Sequence, residues 1–252
     1  MPIQTKCKVL TMEPLNPYAW SMVVDAGELA RSALPGQFVQ VKCGHSRMLR
    51  RPISICDAEG ETLRLVFEVR GDGTEWLSRR KVGAMVDLIG SLGRGFDLSG
   101  DKLLLVGGGI GLPPMLYAAK GCKGETHVVA GFRSADRAML AEDFEKAAET
   151  FVITSDDGSI GAHGFVDVLV RRTLEKGKDF TGILACGPKP MLRSVVKAAE
   201  EFGLSVQVSM EERMACGVGA CLGCAVQMAD GRMKHVCKDG PVFDSREVDW
   251  SV

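Results

Sequence analysis

The chain has 252 residues, of which 46% are hydrophobic and 25% charged, as expected of a globular protein with about two domains. Its 31 Lys and Arg residues nearly balance its 32 Asp and Glu residues, and the net charge of −1 excludes the basic footprint of a nucleic-acid binder. The longest uncharged run, residues 103–119, holds four glycines and two prolines, so no membrane span is expected.

The first hundred residues predict short β-strands separated by Gly and Pro. Strands are expected at residues 5–12, 20–25, 37–42, 63–70 and 85–89. One helix is expected at 74–81, with Thr74 as its N-cap. Several short strands at this spacing favour a small antiparallel β-barrel, which we assign to residues 1–99.

After Gly100, strands and helices alternate. Strands are expected at residues 102–106, 127–131, 151–154, 182–186 and 205–209. Helices are expected up to about residue 119 and at 143–150, 166–174 and 190–202. This alternation indicates an α/β domain with a doubly wound parallel sheet, assigned to residues 100–209. The tail, residues 210–252, lacks such a rhythm and would have to be organised by metal ligation.

Four of the nine cysteines crowd into that tail. They are Cys216, Cys221, Cys224 and Cys237. Their C-x4-C-x2-C-x12-C spacing is typical of a plant-type [2Fe–2S] cluster, whereas a structural zinc site more often uses two close Cys pairs. A zinc site remains the alternative. The N-terminus has no apolar signal segment, so we expect a cytoplasmic protein whose cysteines bind metal rather than form disulfides.

A glycine-rich turn joins the first strand of the α/β domain to its helix. Its glycines are Gly107, Gly108, Gly109 and Gly111. Such a turn lets a pyrophosphate lie against the N-terminal N–H groups of the helix. Leu112 departs from the G-x-G-x-x-G fingerprint, so a purely structural turn is the alternative.

A second nucleotide motif, Cys186-Gly187-Pro188, follows another strand of the same sheet. Ligands of α/β proteins bind at the carboxyl ends of the strands, where both motifs are expected to meet. Cys186 is therefore the candidate catalytic residue beside a nicotinamide, and Gly187 and Pro188 would bind the cofactor. A small residue packed at a strand end is the alternative interpretation of Cys186.

The barrel carries its own anion-binding motifs. Arg51-Pro52-Ile53-Ser54 offers a guanidinium suited to phosphate and a hydroxyl for a ring nitrogen, although a surface arginine would give the same letters. Residues 71–74 open the predicted helix and supply a second anion site. Sites in both domains fit two dinucleotides that face each other.

Taken together, these motifs resemble the ferredoxin–NADP reductase superfamily, in which a barrel holds FAD and a doubly wound domain holds the pyridine nucleotide. Residues 210–221, 107–114 and 51–54 are similar to the electron-transfer subunits of class 1B dihydroorotate dehydrogenases, and the resemblance covers nearly the whole chain. The resemblance implies FAD contacts at Arg51, Pro52, Ile53, Ser54, Val66, Phe67, Glu68, Gly73 and Thr74.

The resemblance also implies a function. Electrons would pass from dihydroorotate, oxidised on an FMN-containing catalytic partner, through [2Fe–2S] and FAD to NAD+ in pyrimidine biosynthesis, within a heterotetramer of two copies of each subunit. Because Arg133 and Arg137 are basic and follow the second strand of the α/β domain, NADP remains an alternative to NAD as the nucleotide. Two alternatives remain: a subunit of an NAD(P)H–ferredoxin, sulfide or hydrogenase oxidoreductase complex, and a non-catalytic binding protein held together by zinc.

Overall fold

A closed six-stranded barrel forms the N-terminal part of the computed structural model, which describes residues 2–44, 48–177 and 179–251. Its strands are β1 (Ile3–Pro14), β2 (Ala19–Asp25), β3 (Phe38–Lys42), β4 (Arg51–Glu59), β5 (Thr62–Glu68) and β6 (Met85–Leu92). They pair antiparallel in the order β1-β2-β5-β4-β3-β6, and β6 closes on β1. The predicted barrel is confirmed.

The structure adds one strand to those predicted for the barrel and moves the start of one helix. Strand β4 was not predicted, because Pro52 breaks its pattern, but Pro is tolerated near the start of a strand. Helix α2 spans Asp72–Ser78, two residues before the predicted start, and Gly71 is its N-cap. Thr74 is therefore not the N-cap; it lies inside the first turn. A short helix, α1 (Glu28–Arg31), also precedes β3.

The second domain is a seven-stranded sheet. Its parallel strands are β7 (Lys102–Gly108), β8 (Glu125–Phe132), β9 (Thr150–Ser155), β10 (Ala162–His163), β11 (Gly182–Cys186) and β12 (Val206–Ser209). The helices are α3 (Pro113–Gly121), α4 (Ala141–Ala147), α5 (Val166–Lys176) and α6 (Lys189–Glu200). The spatial order β10-β9-β8-β7-β11-β12 reverses between β7 and β11, which confirms the doubly wound topology.

The predicted helix at 143–150 is too long at its C-terminal end. Helix α4 ends at Ala147, and Thr150 already pairs with His127 as the first residue of β9. Tertiary strand pairing overrides helical spacing there. Among the described residues, no helix is long and apolar enough to cross a membrane.

The tail is held in place by strand pairing and hydrophobic packing, in addition to any metal ligation by its cysteines. It contains β13 (Ala225–Gln227), β14 (Met233–His235) and β15 (Val242–Asp244). Strands β13 and β14 form a hairpin, while β15 adds antiparallel to β12 at the edge of the sheet. Cys224 and Cys237 share one hydrophobic cluster with Phe38 and Leu92 of the barrel. The domain limits 1–99, 100–209 and 210–252 remain predictions. The limit at residue 210 does not separate two sheets, because β15 of the tail pairs with β12 of the second domain.

Candidate cofactor sites

One cavity of about 1330 Å³ lies where the barrel, the sheet and the tail meet. It exceeds the roughly 300–1,000 Å³ that is usual for one small ligand. Most of the predicted site residues line it: Arg51, Pro52, Ile53, Ser54, Val66, Phe67, Glu68, Thr74, Gly108, Gly109, Gly111, Cys186, Gly187 and Pro188. Gly73 and Gly107 are not part of this lining, and a side chain on them would collide with Arg51 and Leu112 respectively. The cavity therefore joins the barrel motifs to the motifs of the sheet.

The barrel side of the cavity is built around Arg51, the first residue of β4. Its Nη1 donates a hydrogen bond to the carbonyl of Leu49 at 2.7 Å. Its Nε lies where a side chain on Gly73 would begin, only 2.5 Å from an ideal Cβ. Gly73 therefore lets the guanidinium lie against the first turn of α2. A cation beside a helix N-terminus is a favourable environment for phosphate.

Thr74 stabilises the turn that leads into α2. Its Oγ1 accepts hydrogen bonds from the N–H groups of Arg70 (2.9 Å) and Gly71 (3.3 Å) and donates to the carbonyl of Gly71 at 3.0 Å. The side chain thus fixes the loop between β5 and α2. Thr74 thus caps the helix start from the third helical position, by accepting from the N–H of the N-cap Gly71, and it also lines the cavity.

Glu68, at the end of β5, links the barrel to the sheet. Its carboxylate accepts a hydrogen bond from Arg70 Nε at 2.9 Å and lies 4.0 Å from Arg137 Nη1. The Arg137 guanidinium also stacks over the ring of Tyr18, 3.8 Å from its centroid. Arg133 and Arg137 both line the cavity, and Arg137 is engaged by Glu68 and Tyr18 of the barrel.

The glycine turn follows β7 at the point where the strand order reverses. Gly109 has a left-handed φ of +53°, and no other group would contact a side chain there. Gly111 has no room for a side chain, because the carbonyl of Cys186 lies against it. The turn and the end of β11 therefore form one continuous edge, as the two nucleotide motifs predicted.

Cys186 lies opposite Ser209 in the pairing of β11 with β12. Burial raises the pKa of its thiol to about 12; a hydrogen bond with Ser209 opposes this effect, and the charge of Glu211 adds to it. The thiol is therefore neutral at physiological pH and can pack or hydrogen-bond, but it is not a thiolate nucleophile. Glu211 and Glu212 also line the cavity, and no motif assigned them a role.

The thiol of the first tail cysteine, Cys216, is surrounded by backbone N–H groups. Cys216 Sγ accepts hydrogen bonds from the N–H groups of Val218 (3.4 Å), Ala220 (3.3 Å) and Cys221 (3.4 Å). Burial acts to raise the pKa of Cys216, but these N–H donors and the Cys221 side chain lower it to about 6. The loop therefore stabilises a thiolate, the form that ligates iron.

The other two cysteines form a second pair. Cys237 Sγ accepts a hydrogen bond from Gly219 N at 3.1 Å, and Cys224 Sγ accepts one from Cys237 N at 3.4 Å. Burial, and then a hydrogen bond with Cys224, raise the pKa of Cys237 to about 12. Within the described ranges, no group of three or more His, Cys, Asp or Glu side chains is spaced to hold a metal ion. Side-chain hydrogen bonds join Cys216 to Cys221 and Cys224 to Cys237. This pairing fits a two-iron cluster in which each iron takes two protein ligands.

Comparison with known proteins places these features in context. A family model described as the iron–sulfur cluster binding domain of dihydroorotate dehydrogenase B matches residues 211–249. The chain is 39% identical over 219 residues to the electron transfer subunit of dihydroorotate dehydrogenase B (NAD(+)) from Caldanaerobacter subterraneus subsp. tengcongensis, covering 85% of this chain and 86% of the relative. Identity to the subunit of the same name from Listeria welshimeri is 38% over 258 residues, covering 98% and 99%.

Solved structures give the same architecture. An NADH-dependent reduced ferredoxin–NADP oxidoreductase, described in connection with flavin-based electron bifurcation, superposes with a TM-score of 0.87 at 30% identity, covering 97% of this chain and 90% of the other. The ferredoxin reductase of carbazole 1,9a-dioxygenase superposes with a TM-score of 0.65 at 22% identity, covering 81% and 67%. The second likeness concerns the fold alone.

Proposed function

The chain belongs to the family of dihydroorotate dehydrogenase B electron transfer subunits, and we propose that it carries electrons from dihydroorotate oxidation on a partner subunit to NAD+. Bound FAD would exchange a hydride with the nicotinamide and single electrons with a [2Fe–2S] cluster, which cannot accept a hydride. The observation that carries the proposal is the single cavity lined by both dinucleotide motifs, with the cysteine-bearing tail packed against its barrel wall.

On the barrel side, the chain would hold the phosphates of FAD with the Arg51 guanidinium and the N-terminus of α2. The support is the close approach of Arg51 to Gly73 and the hydrogen bonds by which Thr74 fixes the preceding turn. Ser54 lines the same cavity and offers a hydroxyl to the flavin ring. Pro52, Ile53, Val66 and Phe67 would supply the apolar wall.

On the sheet side, the glycine turn would bind the pyrophosphate of NAD. Gly109 leaves open space above the turn, and Gly111 keeps it against the end of β11. Gly187 and Pro188 continue this edge. The neutral, half-buried Cys186 thiol would lie at the nicotinamide end of this edge, as an uncharged group in the cavity wall.

In the tail, the four cysteines would ligate the two irons as the pairs Cys216 with Cys221 and Cys224 with Cys237. The pairing of their thiols and the N–H groups aimed at Cys216 and Cys237 support this assignment. Such N–H donors stabilise the added negative charge of the reduced cluster.

The partner would be an FMN-containing catalytic subunit, assembled as a heterotetramer with two copies of each chain. The cysteine loop supports docking on its outer side, because Cys221 is exposed and its neighbours Val218 and Leu222 are 47% and 60% exposed. Apolar side chains exposed around a redox group are typical of a protein interface. None of the nine cysteines, all of which lie within the described residues, forms a disulfide, which supports a place in the reducing cytoplasm.

A second candidate is an NAD(P)H–ferredoxin oxidoreductase subunit. It is favoured by the 30% identity to the ferredoxin–NADP oxidoreductase structure, which covers nearly the whole chain. Both candidates use the same cavity and the same cysteine pairs. They differ only in the protein that docks on the cysteine loop.

The test is a reconstitution with two assays. The purified chain, loaded with FAD and iron, should oxidise NADH with ferricyanide and leave dihydroorotate untouched. Adding the FMN-containing subunit should create dihydroorotate-dependent NAD+ reduction. Dihydroorotate turnover by the chain alone would refute the division of labour. If no turnover appears with the FMN subunit but ferredoxin is reduced instead, the second candidate is correct.

A further inference from the structure

Gln40 is a buried glutamine with no hydrogen-bond partner for its side chain. It lies in β3, its exposed fraction is 0%, and neither Nε2 nor Oε1 has a partner among the described residues. Burying an amide without hydrogen bonds is unfavourable, because the lost contacts with water are not replaced. A side chain held in this state indicates a group outside the chain that would satisfy it.

The outward face of β3 points Gln40 at the tail. Side chains alternate along a strand, and Val39 and Val41 pack into the barrel core. Phe38, on the opposite face, packs in the cluster that contains Cys224 and Cys237. Gln40 shares the face of Phe38 and therefore lies beneath the cysteine-bearing segment.

The contact with that segment is made at Gly217, the residue after Cys216. An ideal Cβ on Gly217 would lie 2.6 Å from Gln40 Cγ and 2.8 Å from Gln40 Nε2. Gly217 also has a left-handed φ of +74°. Both facts exclude a larger residue there, and they place the Gln40 amide against the backbone of the loop that wraps Cys216.

Gln40 is also tied to the proposed flavin site. Its backbone lies opposite Pro52 of β4, and its carbonyl accepts a hydrogen bond from Arg50 Nη1 at 3.3 Å. Its side chain, however, is not part of the lining of the dinucleotide cavity. The residue therefore joins the strand of the flavin site to the cysteine loop, with its amide on the cysteine side.

We infer that Gln40 donates a hydrogen bond from Nε2 to the cluster, at the sulfur of Cys216 or at an adjacent inorganic sulfide. The inference rests on the proposed function, in which the cysteines hold a [2Fe–2S] cluster. Cluster sulfurs accept hydrogen bonds and donate none, so the NH2 group of the amide must face them. A donor at this place stabilises the reduced cluster and raises its reduction potential.

The first test replaces the amide with a side chain of similar shape in the loaded protein. Gln40→Met should shift the midpoint potential of the cluster to a more negative value, measured by a redox titration followed by electron paramagnetic resonance. The flavin couples should not move. The control is Gln227→Met in β13, which changes a half-buried glutamine of the same segment and should leave the potential at the wild-type value. A cluster potential and g-values unchanged in Gln40→Met would overturn the inference.

The second test uses the wild-type chain, so it does not depend on whether a variant folds. The chain is made by cell-free synthesis with glutamine labelled with 15N only in the side-chain amide, which marks its five glutamines. Hyperfine spectroscopy of the reduced wild-type cluster should then detect a 15N coupling. A cluster signal without that coupling refutes the role of Gln40 alone. A wild-type protein that binds iron but gives no [2Fe–2S] signal refutes the proposed function instead.

Discussion

Replacing Gly73 by Ala should weaken FAD binding without destabilising the fold. The new Cβ would lie 2.5 Å from Arg51 Nε and 2.8 Å from Cζ, so the guanidinium must leave its place against α2. A hydrogen bond between a charged donor and phosphate contributes about 1.5–3 kcal/mol. Its loss should therefore raise the Kd for FAD roughly 10- to 150-fold. Gly73 is the second residue of α2, and Ala is a better helix former than Gly, so the melting temperature of the FAD-free protein should not fall.

The assay is fluorescence titration of FAD-free protein with FAD, paired with a thermal melt. Ser78→Ala is the matched control, because it raises helix propensity in the last turn of the same helix, away from Arg51. Arg51→Ala should weaken binding to a similar extent, and the double variant should be no worse than Arg51→Ala alone, because both changes remove the same contact. Wild-type affinity in Gly73→Ala would refute the placement of the phosphate at Arg51.

Three further predictions concern other parts of the molecule. Cys224→Ser should remove the iron-derived absorbance and leave FAD bound, since the FAD motifs lie in the barrel; full iron content would contradict the ligand assignment, and Cys122→Ser, outside the tail, is the control. Because burial raises the pKa of Cys186 to about 12, its thiol is protonated throughout pH 6–9, so the rate of NADH oxidation should show no step from it in this range, and Cys186→Ser should keep the wild-type pH profile. Arg64 Nη1 lies 2.9 Å from Asp143 Oδ1 across the barrel–sheet interface, so Asp143→Asn should lower the free energy of unfolding by about 1 kcal/mol. In a double-mutant cycle, the effects of Asp143→Asn and Arg64→Met should be coupled. Additive effects would show that the ion pair contributes nothing to stability.

The parts of this molecule that could be predicted from sequence are those encoded in local spacing. The alternation of strands, the glycine turn and the C-x4-C-x2-C run are each read within a few residues, and each has a direct physical cause. Strand β4 was missed because Pro52 obscures a pattern that only pairing with β3 completes. The role of Thr74 was misjudged because the helix begins earlier, at a position set by the preceding turn.

Gln40 could not have been found in this way. Its significance arises only where β3 meets the cysteine loop, two segments far apart in sequence, and nothing in the letters around residue 40 marks it as more than a polar residue in a strand. Strand β15 was missed for a similar reason, since a three-residue strand gains its identity from the edge of β12. Long-range contacts of this kind need the folded chain.

The packing of the tail fixes where the proposed cluster would lie relative to the proposed flavin site. Strand β15 attaches the tail to the sheet, where Phe243 pairs with Val208, while Phe38 attaches it to the barrel through the cluster that contains Cys224 and Cys237. Cys224 and Cys237 are therefore held in a packed core shared with both domains, and interiors packed in this way deform little. Cys216 is half-buried and Cys221 is exposed on the loop beside this core. Because Cys224 and Cys237 are fixed relative to the barrel, electron transfer between the proposed flavin site and the proposed cluster would require no movement of domains. In the proposed function, the partner would then need to recognise only the outer side of the cysteine loop, where Val218 and Leu222 are exposed.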